Sequence, residues 1–288
     1  MELEELKNYK KAEEISDSVL IFAKKFVKEE MKILDLAEKI EGRIRELGGE
    51  VAFPVNISIN ENAAHYTPDI DDMIVLREGD LAKVDFGVHV NGYIWDRAFS
   101  VLIGEEKNDL IVAAEKAVEN AVKMIKPGVK VFEISEIIEN TVNKFGLKPI
   151  YNLSGHGLKR FVQHADPSIP NSKNKIQYEI KEGQAIAIEV FTTNGIGLVK
   201  ESGQTLIYMY VQDRPIRLWE GRKILEKAKT EFNGLPFAKR WITDVATGAK
   251  LDLALRQLVE MNALRPYSVL KEESNAMIAQ AEETVIVK

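Results

Sequence analysis

Cysteine is absent from the 288 residues. That excludes a disulfide framework and any thiolate nucleophile or ligand. It is compatible with a reducing cytosol. No apolar run approaches the ~20 residues needed to span a bilayer. The opening stretch MELEELKNYKKAEE is charged and helical in pattern, unlike a signal peptide. Together these absences lead us to expect a soluble, intracellular, cytoplasmic protein. A basic excess is also lacking. The formal net charge of −6 argues against nucleic acid as the main partner. There is no low-complexity linker and no Gly-rich phosphate loop. What remains is a hydrophobic content of 45%, enough for a substantial core in one large domain or two smaller ones.

The most informative stretch runs from Asp80 to Ser100, DLAKVDFGVHVNGYIWDRAFS. Apolar residues fill two arms around Asn91-Gly92, a pair that readily takes the two φ > 0 conformations of a type I′ hairpin turn. A two-residue loop there pairs Val90 with Tyr93 and hence Gly87 with Asp96. Side chains alternate faces along a strand, so Asp85 shares a face with Gly87. Asp85 and Asp96 then become diagonal neighbours, roughly 7–8 Å apart at the backbone. Flanked by Val84, Phe86, Ile94 and Trp95, two such carboxylates should not both ionise without a cation. A divalent metal with oxygen ligands resolves the conflict. The alternative is that both face water on an exposed hairpin.

Elsewhere the apolar period predicts helices over Glu2 to about Val27, Lys32 to Leu47, Glu105 to about Ile125 and Val131 to Phe145. Strand-like pieces follow each pair of helices. This order occurs twice. His65-Tyr-Thr-Pro68 and His164-Ala-Asp-Pro167 share the frame H-x-x-P, and the segment ending at Asp85 matches the one ending at Glu189. A pseudo-two-fold α+β domain would bring the matching acids and histidines together in a cleft between its halves. From Arg214 to Leu264 the chain reads as helix-rich and has no counterpart in the first half. The final strand, AQAEETVIVK, would return one of Glu282 and Glu283 to the hairpin. The candidate ligands are thus Asp85, Asp96, His156, Glu189 and a terminal acid. Four carboxylates and one imidazole suit two divalent ions.

At these residues the chain resembles the type II methionine aminopeptidases, most like their short archaeal form. The resemblance spans nearly the whole sequence. It rests on ENAAHYTPD, DLAKVDFGVHVNGYIWD, SGHGLKRFVQHADPSIPN, AIAIEVF and AQAEETVIV. It implies a pita-bread (creatinase/aminopeptidase) fold, with a catalytic domain of residues 1–193 and 271–288 and a helical insertion of residues 194–270. It also implies two divalent ions (cobalt, manganese, iron or zinc) held by Asp85, Asp96, His156, Glu189 and Glu282, with Asp96 and Glu282 bridging. In the resemblance Glu189 shuttles a proton, His65 contacts the scissile amide and His164 the carbonyl oxygen. Phe53 and Tyr267 line the methionine pocket.

The implied activity is removal of the N-terminal methionine from nascent proteins and peptides with a small second residue. The enzyme would be a monomer that meets its substrates at the ribosome. Two other readings stand beside this one: a non-catalytic pita-bread binding protein, and a proline dipeptidase on the same fold. Against the latter, the catalytic domain starts almost at once, without the extra N-terminal domain of those relatives. The chain departs from the family pattern at Arg97, Gln163, Val190 and Glu283. Strand alternation predicts that Arg97 points away from Asp96.

Overall fold

The computed structural model describes residues 1–105 and 108–288. The chain runs α1 (Leu3–Lys24), α2 (Ile33–Glu46), β1 (Glu50–Ile59), β2 (Asn62–Ala64), β3 (Leu81–Val90) and β4 (Tyr93–Leu102). It continues through α3 (Asp109–Met124), α4 (Val131–Asn143), β5 (Lys148–Pro149), β6 (Ser154–Lys159), β7 (Val162–Pro170) and β8 (Ala185–Thr193). The last third holds β9 (Val199–Tyr210), α5 (Trp219–Thr230), β10 (Phe237–Ala238), α6 (Gly248–Glu260), β11 (Leu264–Glu272) and β12 (Ile278–Ile286).

The four helices expected in the first half of the chain all form. α1 buries Tyr9, Ala12, Ile15, Val19 and Ala23, a row at helical spacing. Ile21, apolar and on the same helix, falls off that row and is exposed. α3 starts later than expected. The Asn108 side chain accepts from the Leu110 N–H at 2.9 Å, and this cap sets the first helical residue at Asp109. The part of the expected helix at residues 106 and 107 lies outside the described residues.

Among the described residues the main sheet has eight strands, in the order β1-β3-β4-β12-β8-β6-β7 with β5 beside β8. Helices α1 and α2 pack on β1, β3 and β4; α3 and α4 pack on β12, β8, β5 and β7. The two halves thus repeat a pair of helices against a group of strands. Val84, Phe86 and Val88 enter the core with Ile15, Val19 and Ile40, which leaves the alternate positions Asp85 and Gly87 on the other face. The hairpin has the expected register. Val90 pairs with Tyr93 and Gly87 with Asp96, across a turn in which Asn91 and Gly92 have φ of 53° and 87°.

The segment after Thr193 differs from a purely helical insertion. α5 and α6 form, but FAKRWITDVA becomes β10 and a single 3-10 turn, Lys239–Ile242. β9 and β11 are long strands that pair with each other, with β10 and with β2 in a second sheet. α5 and α6 build a separate core with Phe237 and Leu264. Residues of both sheets, among them Phe53 and Asp85 of the main one and Ile207 and Tyr267 of the second, line a single cleft.

Candidate metal centre

Four carboxylates reach one spot from four neighbouring strands. Across the main sheet, Asp85 on β3 lies opposite Ala98 on β4, Ala98 opposite Glu282 on β12, and Glu282 opposite Glu189 on β8. Asp96 is two residues from Ala98 and so shares its face. His156 on β6 lies opposite Ala187, two residues from Glu189. Its glycine neighbour explains how β6 comes so close to β8. A β-carbon on Gly155 would stand 2.5 Å from the Ala187 carbonyl oxygen.

Ligand atoms of Asp96, His156 and Glu282 lie within 4.8 Å of one another, as do those of Asp85, Glu189 and Glu282. Glu282 belongs to both groups. Asp96, expected to share that bridging role, falls in the first. His156 Nε2 is 3.8 Å from Asp96 Oδ2 and 4.0 Å from Glu282 Oε1.

The cluster is electrostatically incomplete. Burial pushes the Asp85 carboxyl up to about 7. Burial, then the neighbouring carboxylates, holds Asp96, Glu189 and Glu282 well above the usual range. Burial pushes the His156 imidazole down to about 4. Asp85 Oδ1, Asp96 Oδ1 and Glu282 Oε1 are buried without a hydrogen-bond partner. Among the described residues the side-chain amides in reach are those of two glutamines. Gln280 Nε2 is 3.0 Å from Glu189 Oε1 and 3.4 Å from Asp85 Oδ2, and Gln163 Nε2 is 3.4 Å from Asp96 Oδ2. Among the described residues no lysine or arginine forms an ion pair with the four acids. Neutral amides cannot balance four anions, and orphaned buried acceptors are costly. Oxygen donors with one imidazole, organised as two overlapping groups, fit two divalent cations.

Above the carboxylates lies the cleft, and Phe53, Ile207, Pro236 and Tyr267 form apolar parts of its lining. His65 and His164 also line it. His65 Nδ1 is 3.1 Å from the Ser268 carbonyl, and its ring meets Tyr267 edge-on at 5.2 Å. The His164 ring lies 4.6 Å from that of His156 and 6.0 Å from that of Tyr267. Burial, then the nearby His156, pushes His164 down to about 3; burial also lowers His65. Both rings are therefore neutral near pH 7; the one N–H of His65 lies on Nδ1 and donates to the Ser268 carbonyl, which leaves its Nε2 as an acceptor, and His164 retains one N–H to donate. The structure thus gathers the five candidate ligands, His65, His164, Phe53 and Tyr267 around one cleft.

Arg97 points to the helix side, as alternation requires. It pairs with Asp17 of α1 and, across the strands, with Glu283 at 2.6 Å. Two of the departures from the family pattern thus complement each other, away from the carboxylates. Gln280 and Asn56 were not singled out from the sequence, yet Gln280 reaches three of the acids and Asn56 lines the cleft. Gln280 sits two residues before Glu282 on one strand, so period-two alternation could have found it.

Comparison with known proteins agrees with this geometry. The chain matches the model of metallopeptidase family M24 over residues 7–220. It is 48% identical over 279 residues to a methionine aminopeptidase of Thermococcus onnurineus (strain NA1), covering 96% of this chain and 95% of that one. It is 40% identical over 287 residues to one of Methanocaldococcus jannaschii, covering 100% and 97%. The chain therefore belongs to metallopeptidase family M24 and, within it, to the methionine aminopeptidases. Solved structures share the pita-bread fold. A methionine aminopeptidase from Thermotoga maritima superposes with a TM-score of 0.73 at 21% identity, over 100% of this chain and 94% of that one. A thermophilic Arx1 superposes at 0.85 with 18% identity, over 99% and 88%. At those identities the likeness concerns the fold alone.

Proposed function

We propose that this chain removes the N-terminal methionine from peptides and nascent chains with a small second residue, using Asp85, Asp96, His156, Glu189 and Glu282 to hold two divalent ions. The observation that supports it most is the cluster of buried, unpartnered carboxylate oxygens beneath an apolar pocket flanked by two neutral histidines. When bound, the ions would supply Lewis acidity and make a water molecule acidic enough to ionise near neutral pH.

The protein's own groups do the rest. Glu189 takes the proton of the attacking water and returns it to the leaving amine. His164 donates its N–H to the carbonyl oxygen as charge develops there. His65 contacts the scissile amide from the other side of the cleft. The thioether side chain of methionine is flexible and apolar, and Phe53 and Tyr267 give it an apolar wall. Residues 194–270 act as the insertion that closes the pocket over the catalytic domain of residues 1–193 and 271–288. This is the type II arrangement. We assign the protein to the cytoplasm, as a monomer acting on chains that emerge from the ribosome.

The test is metal analysis combined with hydrolysis of Met-Ala-Ser and of proline-containing dipeptides. The proposal requires bound metal, release of methionine and intact dipeptides. Preferential cleavage of the dipeptides would make the protein a proline dipeptidase. Metal-loaded protein that cleaves neither would make it a binding protein.

A further inference from the structure

A buried ion pair outside the metal centre ties the insertion to the rest of the chain. Glu41 of α2 and Arg240 of the 3-10 turn are both buried and pair across 199 residues. Such pairs are a poor source of stability, because desolvating both charges offsets their attraction. Their hydrogen bonds lead to the cleft. Glu41 Oε1 accepts from the Val55 N–H at 3.2 Å, and Oε2 from Trp241 Nε1 at 3.1 Å. Arg240 Nη1 donates to the Thr67 hydroxyl and, at 3.1 Å, to the Pro68 carbonyl. The Thr67 hydroxyl donates in turn to the Val55 carbonyl at 2.8 Å. Val55 is thus gripped at both backbone groups.

Two residues before Val55 is Phe53, and two residues before Thr67 is His65. His65 has φ of 65°, a left-handed conformation that a β-carbon disfavours. Such a conformation persists only where its surroundings over-determine it. On one side of Thr67, the Tyr66 carbonyl accepts from the Ile57 N–H at 2.7 Å. On the other, Arg240 holds Pro68. We propose that the Glu41–Arg240 pair, acting through the Thr67 hydroxyl, is a positioning device that holds His65 in its left-handed conformation at the substrate and sets its distance from the Phe53 wall. Its catalytic consequence rests on the reading of His65 as a substrate contact.

Thr67→Val keeps the shape and the ion pair and deletes only the relay hydroxyl. Arg240→Lys keeps the charge and loses the planar fork. The chain has four histidines, so their ring resonances can be followed one by one in the zinc-loaded, diamagnetic protein, with His65→Ala assigning the relevant signal. Both variants should shift the His65 resonance and leave those of His156 and His164 in place. An unmoved His65 resonance in folded Thr67→Val overturns the proposal, whether or not Arg240→Lys folds.

Turnover of Met-Ala-Ser gives the second readout. Thr67→Val should lower kcat about 10- to 100-fold. Adding it to His65→Ala should cost nothing further, as for residues acting through one group. Multiplicative losses in that cycle would make the role merely structural and sink the proposal. If His65→Ala keeps wild-type turnover, the substrate-contact reading of His65 fails, and the ring resonance alone decides whether the clamp exists.

Discussion

Stripped of metal by a chelator, the protein should become more stable when Asp85 is replaced by Asn, and the gain should grow with pH. Burial raises the Asp85 carboxyl from 3.8 to about 7 in the folded state. Between those values the folded protein holds a proton that the unfolded chain has lost, so stability falls as pH rises through the window. At about 1.4 kcal/mol per pH unit the full penalty reaches ~4 kcal/mol near pH 7. This is an upper bound, because Asp85 is only partly buried and keeps an edge open to the cleft.

His156 and His164 act in the opposite sense. Pushed down to about 4 and about 3, they add stability as pH rises towards the ordinary imidazole value. They are common to both proteins and cancel in the difference. Urea unfolding in chelator should therefore show a gap between Asp85→Asn and wild type that widens by up to about 1.4 kcal/mol per unit between about pH 5 and about pH 7. Restoring manganese should reverse the order, since the ion binds the deprotonated carboxylate and stabilises the wild type more at higher pH. A gap that stays flat across the window would refute the argument that burial without a cation strains this cluster.

Asp96→Ala should abolish turnover and prevent occupancy by two ions, because the side chain stands beside both His156 and Glu282; near wild-type metal stoichiometry and rate would reject the ligand assignment. His164→Ala should lower turnover by about 10²–10³ with metal content retained, the expected effect of removing one donor from a developing oxyanion. If metal is lost instead, the residue supports the centre rather than the substrate. Tyr267→Ala opens the apolar wall and should raise KM for methionyl peptides at unchanged metal content; an unchanged KM would place the methionine side chain elsewhere in the cleft.

Much of the site was legible because its determinants are local. The two-residue Asn91-Gly92 turn sets the register of β3 against β4, and period-two alternation then puts Asp85 and Asp96 on one face and Arg97 on the other. The spacing of Tyr9, Ile15 and Val19 likewise defines the buried side of α1 without reference to anything else. The repeat of H-x-x-P and of the acids at Asp85 and Glu189 foretold which residues would converge.

What depends on strands meeting across long separations was not legible. That β12 inserts between β4 and β8, and so makes Glu282 rather than its neighbour Glu283 the acid common to both groups, is decided by sheet order; the residue pattern left the two open, and only the family resemblance favoured Glu282. β9 carries Lys200, Glu201, Gly203 and Gln204, a poor strand pattern by itself, and becomes a strand because β11 and β10 pair with it. The Glu41–Arg240 pair joins residues from opposite ends of the chain, and only the finished fold buries both. Sequence therefore determined the chemistry of the donors and the faces on which they lie, since backbone alternation and turns act over a few residues. Tertiary structure decided which donors fall into one group and which residues surround the cleft's histidines, since burial and pairing require the whole sheet to be assembled.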